Sequence, residues 1–323
     1  AWVELSSRFG ALPFEALFEP AIGYASRGFP VSPVIATLWQ RAGEQLGDQP
    51  GFAETFLPNG LAPKAGEYFQ SPGHARTLQL IAETKGRAFY EGEIADKIAA
   101  YAKAHGAALT VGDMAAHKAD WCGTISQGFD DVTLHEIPPN GQGIAALMAL
   151  GILSQTSIRD MDADDPIAAH LQIEAIKLAL RDAEAYVADL DYMRDVTVDD
   201  LLDDGYLASR AREIDTNAAT NFGAGAPKHG GTVYLTTADA SGMMVSFIQS
   251  NYAGFGSGVV VPGTGVSLQN RGAGFSLDPA HQNFVGPAKR PFQTIIPGFL
   301  MGPEDPIMSF GVMGGPIQAQ GHI

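Results

Sequence analysis

The sequence has one cysteine in 323 residues, and that scarcity removes whole classes of chemistry. Cys122 can close no internal disulfide, and one thiol cannot build a zinc site by itself. It reads as an inert, buried packing thiol, the usual state of a free cysteine. The eight histidines show no HExxH spacing and no pairing with cysteine at metal-ligand distance. No metal or organic cofactor is expected. Basic residues are also few: 20 Lys and Arg stand against 36 Asp and Glu, for a net charge of −16. No Lys/Arg cluster offers a nucleic acid the cationic face its phosphates need. No apolar run approaches the ~20 residues that span a bilayer. The start, Ala1-Trp2-Val3-Glu4, has no initiator Met and no signal layout, and Gln320-Gly321-His322-Ile323 has no terminating pattern. Both ends read as cut, which leaves the compartment open between cytoplasmic and periplasmic or secreted.

What is present suits a packed enzyme. Hydrophobic residues make up 46% of the chain, charged residues only 17%, and there are 38 glycines. That is ample for a core with many tight loops. Apolar periodicity predicts helices over 11–29, 33–47, 74–84, 91–105, 110–119, 142–154 and 166–190, with a Pro/Gly loop over 48–66. In the last helix Leu171, Ala175, Leu178 and Ala179 make the apolar stripe; Asp182, Asp189 and Asp191 mark a solvated side. Residues 123–137 read as extended, and Pro138-Pro139-Asn140-Gly141 as a turn. After 216 the texture changes to a polar, glycine-rich stretch. Strands are expected at 232–238, 243–250, 258–261, 266–269, 294–300 and 306–310. A helix-rich first part thus precedes a sheet-rich second part.

Several motifs fail on inspection. Gly254-Phe255-Gly256-Ser257-Gly258 is no phosphate loop, because Val259-Val260-Val261-Pro262 cannot begin the helix that would supply amides. It reads as a tight loop with close backbone approach. Asp160, Asp162, Asp164 and Asp165 resemble a calcium loop, yet Asp165 and Leu171 stand where Gly and Glu are required. His229 reads as a surface-loop histidine. No Gly-x-Ser-x-Gly elbow leads from strand to helix. Thr232 follows Gly230-Gly231 and opens a strand, Thr-Val-Tyr-Leu-Thr-Thr. By chemistry alone it is simply a good strand residue.

A set of spaced blocks changes that reading. These are Thr232-Val-Tyr-Leu-Thr-Thr-Ala-Asp239, Gly242, Phe255-Gly256-Ser257-Gly258, Leu268-Gln269-Asn270, Gly286-Pro287-Ala288-Lys289-Arg290-Pro291 and Gly314-Gly315. Upstream stand Phe89-Tyr90-Glu91-Gly92, Ile94-Ala95, and Pro138-Pro139 with Gly141. Together they resemble γ-glutamyltransferases, the N-terminal-nucleophile hydrolases, over nearly the whole chain. The resemblance implies an α+β fold, a four-layer αββα sandwich truncated at both ends. Residues 1–231 would be the C-terminal portion of a large subunit and 232–323 the N-terminal portion of a small one. The two pieces of one precursor would be intertwined in a single structural domain, with strand 232–238 central in its sheet. The chain would cut itself between Gly231 and Thr232. Thr232 would then be the nucleophile, Ser250 its hydrogen-bonding neighbour, and Gly314 and Gly315 the oxyanion amides.

The chemistry is coherent. A freed α-amine on Thr232, with pKa near ~7.7–8.0, suits it as base for its own hydroxyl. The expected substrate is a γ-glutamyl amide such as glutathione, opened through an acyl-threonine for hydrolysis or transfer to an amine. Departures from the family sit in the acyl pocket. The acid that holds the substrate's ammonium is Gly274, a neighbouring Gln is Arg271, an Asn is Tyr252, and a serine pair is Gln293-Thr294. This pattern is similar to the γ-glutamyltransferase-like and cephalosporin-acylase-like branch. An acylase of glutaryl-type or other acidic acyl amides is therefore an alternative, as is an unprocessed, non-catalytic relative that binds a peptide or metabolite.

Overall fold

The computed structural model describes residues 1–221 and 231–323. His229 and Gly230 lie outside the described residues. The chain divides into two compact units, and each draws on both sides of Thr232: Ala1–Trp121 with Phe255–Gln269, and Cys122–Gly254 with Asn270–Ile323.

The first unit is helical. Its main helices are Trp2–Phe9, Glu19–Arg27, Pro33–Leu46, Pro72–Thr84 and Glu93–Ala104. The expected helix 11–29 is split: Phe14–Phe18 is a 3-10 turn that puts Phe14 and Phe18 inside, and the α-helix starts at Glu19. Ser32 caps the next helix from its side chain to the Ile35 N–H, with Pro33 in the first turn. Thr110 and Asp113 form a full capping box ahead of the short helix Val111–Ala116. Within the loop expected at 48–66, Phe52–Phe56 is helical, with both phenylalanines buried. They pack with Val31, Trp39, Phe69 and Val260, and the Trp39 indole N–H donates to the Phe56 carbonyl at 2.9 Å. Gly51 makes this packing possible. Its φ is +76°, and a Cβ there would lie 2.0 Å from the Val260 carbonyl oxygen. In the loop expected at 254–258, residues 255–258 close tightly against Leu268. Ser257 binds the Leu268 carbonyl through both its N–H and its hydroxyl at 2.8 Å, and the strands shrink to Val260–Val261 and Val266–Ser267.

The second unit holds the sheet. Its four antiparallel strands run in the order Pro306–Phe310, Gly298–Met301, Val132–Glu136, Ile125–Phe129. The extended stretch foreseen at 123–137 is thus a hairpin, turned at Asp130 with φ +54°. Helix Gly143–Ser154 packs on its two strands. Helix Pro166–Tyr186 lies against that helix through the expected Leu171, Ala175, Leu178 and Ala179. Helices and antiparallel sheets give the expected α+β class. Strand Gly231–Ala238 departs from its expected central place. Among the described residues it pairs only with Met244–Tyr252, and Val233 and Leu235 are exposed. The hairpin meets the sheet's edge strand through polar contacts, with Thr236 beside Ser309 and the Ser246 hydroxyl on the Phe310 carbonyl.

Two further expectations fail. Cys122 is exposed. Asp182 is buried, not solvated. Arg210 grips it with two bonds of 2.9 and 3.0 Å, and the Tyr206 hydroxyl donates at 2.8 Å. Periodicity placed Asp182 off the apolar stripe, but helix Asp204–Ala211 covers that side and brings its own cation. Burial raises the Asp182 carboxyl, with the tyrosine hydroxyl and the guanidinium pulling against it. The same burial and the neighbouring carboxylate raise the Tyr206 phenol. Arg210→Met leaves that carboxylate buried without its cation and is expected to cost about 3 kcal/mol in urea denaturation. A loss below about 0.5 kcal/mol, the range of surface substitutions, would show that Asp182 is effectively solvated.

Candidate active site

Thr232 and Ser250 face each other across the hairpin. The Thr232 hydroxyl donates to the Ser250 oxygen at 3.1 Å. The ladder slips at this point: Thr232 opposes Ser250, but Gly231 opposes Tyr252, so Asn251 is the extra residue of a bulge. Tyr252 takes up the distortion with φ +77°, a left-handed conformation that a bulky side chain adopts only when its surroundings impose it. Its N–H donates to the Ser250 oxygen at 2.9 Å. One serine oxygen thus anchors both the Thr232 hydroxyl and the strained end of the strand.

From Tyr252 the contacts continue. The Arg271 guanidinium carbon lies 5.1 Å from the centre of the Tyr252 ring, and its Nη1 donates to the Thr294 hydroxyl at 3.0 Å. Burial pulls the guanidinium below its ordinary pKa, opposed by the tyrosine. Asn270 ties this turn back to the hairpin: its side chain accepts from the Ala253 N–H at 3.0 Å, and its own N–H meets the Asn251 carbonyl. Gln293 is used differently. Its side-chain oxygen accepts from the Ile295 N–H, and its backbone pairs with Asn140 and Gln142. It braces the backbone.

Gly274 has no room for a side chain. A Cβ there would come within 2.2 Å of the Phe292 carbonyl oxygen. Asn283 locks this approach, donating to the Gly274 carbonyl at 2.7 Å and accepting from the Phe292 N–H at 3.1 Å.

Gly314 and Gly315 have φ +133° and +68°, conformations that glycine reaches without penalty. Gly315 is buried. Its carbonyl accepts at 3.0 Å from the side-chain amide of Gln142, which also donates to the Thr294 carbonyl at 3.0 Å. Sequence reasoning had no motif for Gln142. The one available signal was a polar residue wedged between the Pro-Pro-Asn-Gly turn and a helix of apolar residues. Glu136 and His322 were also missed; they form a buried hydrogen-bonded pair at 2.5 Å, and burial raises the glutamate's pKa while the histidine pulls it down. Among the described residues no group of three or more His, Cys, Asp or Glu is placed to hold a metal ion.

Thr232, Ser250, Tyr252, Arg271, Thr294, Gln142 and Gly315 therefore form one unbroken series of contacts within the second unit. The chain matches the Gamma-glutamyltranspeptidase family over residues 1–323. It belongs to that family. Its overall fold is shared with the crystal structure of a cephalosporin acylase from Bacillus halodurans, at 47% identity and a TM-score of 0.93, covering 99% of this chain and 60% of that one. The oxamate amidohydrolase proenzyme of Klebsiella pneumoniae is 40% identical over 310 residues, 96% of this chain and 58% of the relative. The glutathione hydrolase-like YwrD proenzyme of Bacillus subtilis is 35% identical over 320 residues, 99% and 60% respectively. The chain thus spans about 60% of the length of these gamma-glutamyltranspeptidase relatives.

The close approach at Gly274 carries its own expectation. Gly274→Ala should destabilise the chain by about 1–3 kcal/mol, the usual cost of forcing atoms into a filled interior. An unchanged denaturation midpoint would mean that the 274 turn yields easily.

Proposed function

We propose that this chain is the greater part of a self-processing threonine amidohydrolase whose acyl group carries a carboxylate but needs no ammonium. The observation that carries the nucleophile is the Thr232 hydroxyl, set at the first full rung of the hairpin and hydrogen-bonded to Ser250. Its membership of a family with proenzyme relatives supports the cut between Gly231 and Thr232. The cut makes residues 1–231 and 232–323 parts of two subunits from one precursor.

In the intact chain the Thr232 oxygen attacks the Gly231 carbonyl and the C–N bond to Thr232 breaks, which frees the Thr232 amine and leaves an ester; water then opens that ester to a Gly231 carboxylate and the Thr232 hydroxyl. In turnover the Thr232 oxygen adds to the substrate amide carbon and its proton passes to that amine. The Gly314 and Gly315 N–H groups face the oxyanion, each worth about 3 kcal/mol when well placed. Collapse breaks the C–N bond, and the leaving amine takes the proton. Water then attacks the acyl-threonine, again losing its proton to the α-amine, and the acid departs as the Thr232 oxygen regains its hydrogen. An acceptor amine in place of water gives transfer.

The acyl preference rests on Gly274 and Arg271. No carboxylate fits at 274 to pair with a substrate ammonium. Arg271, beside Tyr252 and Thr294, supplies a planar cation matched to a carboxylate. Oxamate, the substrate in the name of the Klebsiella relative, is likewise an amide with a carboxylate and no ammonium. The name of the Bacillus subtilis relative keeps a γ-glutamyl substrate as the second reading.

Two measurements test this. Intact mass of the wild type should show two polypeptides, the smaller beginning at Thr232, while Thr232→Ala stays whole; a wild type that stays whole on long incubation leaves no free amine and sinks the mechanism. A glutaryl anilide should then turn over faster than its γ-glutamyl counterpart, which differs only by the amino group. A strong γ-glutamyl preference would reverse the acyl assignment. For either substrate kcat/KM should fall about tenfold per pH unit below the amine's pKa of about 7.7, because the base must be neutral to accept the proton.

A further inference from the structure

We propose that Gln142 is a positioning residue that joins the acyl pocket to the glycine pair and sets the geometry of the Gly314–Gly315 amides. The inference rests on the reading of Thr232 as nucleophile and of that pair as oxyanion donors. Its geometry does not.

Gln142 is 1% exposed. A buried primary amide is retained only where its donors are used, and here both protons are matched by carbonyls, those of Thr294 and Gly315, each at 3.0 Å. These carbonyls belong to segments 152 and 173 residues away in sequence. Gly315 precedes Pro316, which has no N–H, so the chain just after the pair supplies no adjacent amide donor. Two consecutive glycines have the widest backbone freedom available, and a left-handed pair must be held from outside to keep one orientation. The Gln142 hold on the Gly315 carbonyl is such a restraint.

Gln142 itself cannot swing. It sits immediately before helix Gly143–Ser154, which is buried along nearly its whole length. Its main-chain N–H donates to the Gln293 carbonyl at 3.0 Å, and its carbonyl accepts from the Ala145 N–H at 2.9 Å. Backbone and side chain therefore grip the same 293–294 segment from two directions. The Thr294 hydroxyl, on that segment, takes the hydrogen bond from Arg271. A shift of the carboxylate-binding group and a shift of the oxyanion amides are thus coupled through one side chain.

Only a neutral donor of this length serves. Methionine matches the length without donating. Glutamate matches the shape, but its ionised form turns a lone pair toward two carbonyls.

The test uses the full-length gene product and its Gln142→Met and Gln142→Glu variants, with self-cleavage, melting temperature and anilide hydrolysis recorded for each. For a processed, folded Gln142→Met, kcat should fall about 10–100-fold with KM changed less than about threefold, as expected when amides used in the transition state are misplaced. In Gln142→Glu the activity relative to wild type should rise as pH drops from about 8 to about 6, because a buried carboxyl regains a proton to donate there. A merely structural role predicts a lower melting temperature with kcat of the processed fraction intact, and that result overturns the proposal. If Gln142→Met does not fold, a flat Gln142→Glu ratio across the same pH range overturns it. A wild type that is never cut overturns the function proposed for Thr232, and this inference with it. A cut, active wild type beside an equally active Gln142→Met removes this inference alone.

Discussion

Helix Gly143–Ser154 has ten of its twelve residues buried, and its surroundings are arranged around that fact. A helix apolar on every side can sit only in an interior. Its neighbours must then approach closely, and small residues on its surface allow it. A Cβ on Gly143 would meet the Glu136 side chain at 2.9 Å, and one on Gly151 would meet Leu207 at 2.5 Å. The sheet hairpin packs on one side and helix Pro166–Tyr186 on another. The first N–H groups of such a helix, and the polar residue ahead of it, have no water to turn to. The Ala145 N–H bonds the Gln142 carbonyl, while the N–H and side chain of Gln142 bond the 293–294 segment and Gly315, which is how the core of the second unit comes to touch the site.

The site combines rigidity with local strain. Tyr252 in a left-handed conformation and the bulge at Asn251 are conformations a chain adopts at some expense. Both lie at the end of the strand that faces Thr232, and the Ser250 oxygen holds them there. Beyond them the Tyr252 ring meets the Arg271 guanidinium, so the distorted end of the hairpin and this cation are in contact.

Position 274 is fixed by backbone packing. The Phe292 carbonyl occupies the space a Cβ would need, and Asn283 braces both partners, so a side chain at 274 requires this backbone to shift.

Much of this was legible in the order of residues. The spaced blocks from Thr232 to Gly315 pointed to the family, and helical periodicity located the stripe Leu171, Ala175, Leu178 and Ala179, because a pattern of period 3.6 reports which face is apolar. The cap at Thr110 is local enough to be read from its neighbours. The position of Asp182 is not, because its burial depends on helix Asp204–Ala211, whose Arg210 lies 28 residues further along the chain. The Phe52–Phe56 turn was hidden by glycine and proline on either side, and the exposure of Cys122 by its rarity alone. Gln142 is the sharpest case. Sequence gives an amide with two protons, but which carbonyls they reach is decided by segments more than 150 residues away, and only the folded chain brings those together.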